Sequence, residues 1–89
     1  MIDFEKIEVE VEKEYPLKEY KGVYESYLHL KQQIAYMESE EGKKFLTDEF
    51  GEVKYLSQVD FVKKSLASRK AEVEFLKRSL KLADIKKHG

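Results

Sequence analysis

The chain has 89 residues, of which 42% are hydrophobic and 39% charged, with a formal net charge of −1. That length holds one small domain, and a charged fraction far above the roughly 25% usual in globular chains suits long solvated helices. With no Cys, no Trp and only two His, a disulfide scaffold and a thiolate zinc site are excluded, and little remains for imidazole chemistry.

Residues 1–15 form an acidic arm with two readings. Ile7, Val9 and Val11 alternate with Glu8, Glu10 and Glu12, the period-2 pattern of an extended or β segment. Phe4, Ile7 and Val11 also stand at helical spacing behind Asp3, a natural N-cap. The two Val and one Ile tilt the expectation toward an extended arm. Pro16 closes the segment by pushing Tyr15 out of the helical region.

Residues 16–89 read as an antiparallel helical hairpin of coiled-coil type. The first helix is expected over about 17–46, where Tyr20, Val23, Tyr27, Leu30, Ile34 and Met37 alternate spacings of three and four. A turn follows at 47–51, ending on Gly51, with a kink permitted at Gly42. The second helix covers about 52–86, with a seam of Val59, Val62, Leu66, Arg69, Val73, Leu76, Leu80 and Ala83. This register sets Ile34 opposite Leu66, Tyr27 opposite Val73 and Tyr20 opposite Leu80. Arg69 is the one charged seam position, read as a register-setting polar group with Glu72 as its nearest acid.

Two helices make a thin core, and apolar groups remain outside the seam. Phe61, Phe75 and Leu82 share one heptad position, with Ile85 beside them; Tyr24 and Tyr36 add aromatic surface on the first helix. Together they read as an oligomer or partner interface, and pairing of two hairpins into a helical bundle is its simplest form.

Charge is segregated: residues 1–62 hold 8 Lys and 15 acids, residues 63–89 hold 9 Lys/Arg and 3 acids. Lys63, Lys64, Lys70, Lys77, Arg78 and Lys81 make a basic stripe on the second helix that could follow a phosphate backbone. Fifteen Lys against two Arg, and no DNA- or RNA-reading motif, favour internal pairing with the acidic half instead.

The sequence carries no phosphate-binding Gly loop, no nucleophile elbow and no Glu-x-x-His set, so neither enzyme activity nor a cofactor or metal is expected. No apolar run approaches the roughly 18 residues of a membrane span and no leader opens the chain, so a cytoplasmic protein without a membrane partner is expected. The composition suits a small phage- or mobile-element-encoded adaptor or inhibitor that binds itself and another protein. The runner-up is a nucleic-acid-binding bundle using the basic stripe. A third, weaker reading is an acidic mimic that blocks a DNA- or RNA-handling protein.

Overall fold

Asp3 caps the first helix through its side chain, which accepts from the Lys6 backbone N–H at 3.1 Å. The computed structural model describes residues 2–88, with side chains through residue 80, and these residues are all-α. They form α1 (Phe4–Glu14), α2 (Lys21–Glu38), α3 (Glu40–Phe50) and α4 (Glu52–His88).

The amino-terminal arm is therefore helical, which corrects the extended reading. A helix brings Ile7 and Val11 onto one face and leaves Val9 outward; Val11 is completely buried while Val9 is half exposed. An extended arm would have needed a partner strand for its backbone groups, whereas α1 pairs its own.

The first arm of the expected hairpin is also shorter and broken. Leu17 is buried in the connection rather than on a helix, and Tyr20 donates back to the Leu17 carbonyl in a turn, so α2 begins at Lys21. The second break falls at Ser39, three residues before Gly42, where the sequence permits a kink. The Ser39 hydroxyl donates to the Tyr36 carbonyl at 2.6 Å and accepts from the Gly42 N–H at 3.0 Å. It thus closes α2 and opens α3 with one side chain. Gly42 is required there, because a Cβ at this position would lie 1.9 Å from the Tyr36 carbonyl oxygen. The turn expected at 47–51 contracts to Gly51 alone, which takes φ +88° and separates α3 from α4.

α2 lies antiparallel to α4. Lys63 pairs with Glu38 at 2.8 Å near one end, and Tyr27 is buried with Val73 toward the other. Ile34 packs against the cluster of Met37, Tyr55, Val59 and Val62, and Leu66 against the cluster that holds Tyr27 and Val73. Tyr20, expected opposite Leu80, is exposed.

The polar contacts of α1 give its direction. The Gln32 side chain donates to the Phe4 carbonyl, Tyr15 donates to Glu74 at 2.9 Å, and Lys77 donates to the Glu14 carbonyl at 2.9 Å. Hence α1 runs antiparallel to α2 and parallel to α4, and closes one flank of the pair. Val11, Tyr15, Leu17, Tyr24, Tyr27 and Val73 form the core beneath it. A second core of Met37, Tyr55, Val59 and Val62 lies nearer the α3 end. At 1.5 Å per residue, the 37 residues of α4 span about 55 Å, which accounts for the 57 Å long dimension of the molecule.

Candidate interaction face

The α4 sequence alternates its apolar positions around the seam, so its second aromatic set must point elsewhere. Tyr55, Val59, Val62 and Val73 are buried against α2, and Leu66, Leu76 and Leu80 are partly buried beside them. Phe61 and Phe75 lie more than a quarter-turn from that face and remain 70% and 73% exposed. Between them, Ser65, Ser68 and Glu72 occupy the same side of the helix at spacings of three and four.

Both phenylalanines border grooves formed with α2. Phe61 sits with Leu30, Met37, Val62 and Ser65 in one, and Phe75 sits with Val23, Ala71, Glu72 and Leu76 in the other. The contacts of α1 lie on the other side of α4, at Glu74 and Lys77. The face of Phe61 and Phe75 is thus the flank that α1 leaves open.

The remaining expected interface residues divide. Tyr24 is a correction: it is 2% exposed and sits in the α1–α2 core, so it offers no surface. Burial raises its phenol pKa, with further contributions from Glu12 and Glu8. Tyr36 is half-buried and lines a shallow groove with Phe4, His29 and Gln32 on the α1 flank, away from Phe61. The side chains of Leu82 and Ile85 lie outside the described residues.

The basic stripe is largely engaged within the chain. Lys63 pairs with Glu38, and this hydrogen bond with the Glu38 charge raises its pKa. Lys64 pairs with Asp60 at 3.0 Å. Lys77 donates to the Glu14 carbonyl while its ammonium lies 5.3 Å from the Tyr15 ring centre. Arg78 lines a concavity with Glu14, Tyr15 and Glu74, and Lys70 is exposed. The side chain of Lys81 lies outside the described residues. Arg69 takes the acid the sequence offered it: its guanidinium meets Glu72 at 2.8 Å, with both side chains nearly half exposed.

Sequence reasoning missed an apolar group at the α3–α4 corner. Phe45 and Phe50 on α3, and Val53 and Leu56 at the start of α4, are all exposed. They escaped notice because 47–51 read as a turn. The signal was present in Ser39-Glu40-Glu41, a capping residue followed by two acids, which marks a new helix start.

No group of three or more His, Asp or Glu side chains that could hold a metal ion occurs among the described residues, and no helix there is long and apolar enough to cross a membrane. No family model matches the chain, and neither a curated protein nor a solved structure is detectably similar to it.

Proposed function

We propose that this chain is a non-enzymatic protein–protein interaction module, a coiled-coil-like helical hairpin braced by α1, that works as a small adaptor or inhibitor. The observation that carries this reading is the exposure of Phe61 and Phe75 on the one flank of the α2–α4 pair that α1 does not cover. Large aromatics beside apolar grooves contribute most of the energy at protein interfaces, and a solvated helix has no use for them. The cations of α4 support the same reading, since Lys63, Lys64 and Lys77 already have acceptors within the chain. A phosphate backbone would have to displace those contacts.

Chemical cross-linking of the tagged chain in extract of its native host tests this. Cross-links to protein should form and should vanish in the double variant Phe61→Glu, Phe75→Glu. In the companion variant Lys63→Gln, Lys70→Gln, Lys77→Gln, Arg78→Gln they should persist. Salt-sensitive retention on an oligonucleotide that is lost in the second variant and kept in the first would favour the nucleic-acid reading instead.

A further inference from the structure

We infer that the occupant of the Phe61–Phe75 face is a second copy of this chain, docked antiparallel about a two-fold axis at Ser68. The inference rests on the interaction-module reading and names its partner. An isologous interface needs a surface that is complementary to itself after a half-turn. The open face of α4 has that property. Phe61 and Phe75 stand seven residues to either side of Ser68, about 10 Å each way along the helix.

A two-fold axis through Ser68 therefore brings Phe61 of one copy against Phe75 of the other, twice over. Each ring then meets a groove already built beside its counterpart. The incoming Phe75 finds Leu30, Met37 and Val62, and the incoming Phe61 finds Val23 and Leu76. At the axis, Ser65 and Ser68 are small enough for the helices to approach closely.

Charge selects the antiparallel sense. Along α4, residues 63–80 carry six cations against two acids, whereas residues 40–52 at the α3–α4 corner carry five acids against two Lys. A parallel pair of α4 helices sets basic end against basic end. The antiparallel pair instead lays each basic end toward the partner's α3–α4 corner, where Asp48, Glu49 and Glu52 lie.

The absence of Cys from the chain makes the geometry directly testable. Sedimentation of the wild-type chain should give twice the chain mass, and Phe61→Glu or Phe75→Glu should each weaken the dimer by about a hundredfold or more. Far-UV circular dichroism should be unchanged in both, because the two side chains are exposed in the isolated chain. Under mild oxidation Ser68→Cys should cross-link to itself. Ser57→Cys and Ser79→Cys, eleven residues on either side of the axis, should cross-link when mixed and not alone.

A monomeric mass at about 100 µM overturns the inference, since that concentration populates even a weak dimer. So does a dimer indifferent to both Phe substitutions, or self-cross-linking of Ser57→Cys, which reports a parallel pair. If the wild type is monomeric yet Phe61→Glu, Phe75→Glu abolishes cross-linking to a different protein in extract, only the choice of partner fails. If no protein cross-link depends on those residues, the module reading fails with it.

Discussion

The Tyr55 hydroxyl, in the first turn of α4, donates to the Met37 carbonyl, in the last turn of α2, at 2.6 Å. The last carbonyls of a helix have no partner within it, and here the next long helix supplies one. Ser39 serves the carbonyls of Ala35 and Tyr36, so the break between α2 and α3 is closed from two sides. Tyr55→Phe keeps the ring in the Met37–Val59–Val62 core and leaves the Met37 carbonyl orphaned. We expect a loss of about 1–3 kcal/mol in urea denaturation. An unchanged midpoint would mean that water takes over the carbonyl.

The glycines should respond in opposite directions. Gly42→Ala drives a Cβ into the Tyr36 carbonyl and must open the α2–α3 corner, with a loss well above 1 kcal/mol. Gly51→Ala forces a side chain into a positive-φ conformation that L residues rarely adopt, at about 1–3 kcal/mol. Gly22→Ala meets none of the described residues within 4 Å in the first turn of α2 and should stabilise by about 0.4–1 kcal/mol. Thermal melts of the three variants check the order; equal losses would contradict the Ser39 corner.

Alkali should unfold this protein. Burial raises the phenol pKa of Tyr15, Tyr24 and Tyr27, and for Tyr15 the hydrogen bond to Glu74 adds to it. A phenol that holds its proton more tightly when folded contributes its full stability below the ordinary pKa of about 10 and loses it as pH rises beyond. Stability measured in urea should fall above about pH 10. The Tyr24 hydroxyl is buried without a hydrogen-bond partner among the described residues, so Tyr24→Phe should gain about 1 kcal/mol at neutral pH and move the alkaline transition upward. A destabilised Tyr24→Phe would show that the hydroxyl is satisfied in solution.

Arg69→Leu should raise the melting temperature. Leu66 and Val73, on either side of Arg69 in the seam, pack in the same core cluster, and a Leu between them extends the apolar surface facing α2. The pair it removes is half exposed, and such i,i+3 pairs contribute about 0.2–0.5 kcal/mol. If Arg69 also holds the register, the variant's oligomer distribution should broaden in sedimentation. A lower melting temperature with a single sharp species would show that the Glu72 pair stabilises on balance.

Local spacing determined a good deal of this molecule. The 3-4 alternation of Val59, Val62, Leu66 and Val73 marked α4 and its buried face, because helical periodicity depends only on neighbours along the chain. The same arithmetic put Phe61 and Phe75 outside that face and named Glu72 as the acid nearest to Arg69. What it left open depended on distant partners. Residues 1–15 fit an extended arm and a helix about equally well. The helix prevails where Val11 and Tyr15 find Tyr24, Tyr27 and Val73 to bury against. The break at Ser39 likewise needed three dimensions, since one side chain closes α2 and opens α3 while Tyr55 arrives from α4 to serve Met37. Tyr24 looked like surface because its spacing could not reveal α1 lying over it. A sequence shows which side of a helix is apolar; only the packing of α1, α2 and α4 decided which apolar sides were covered.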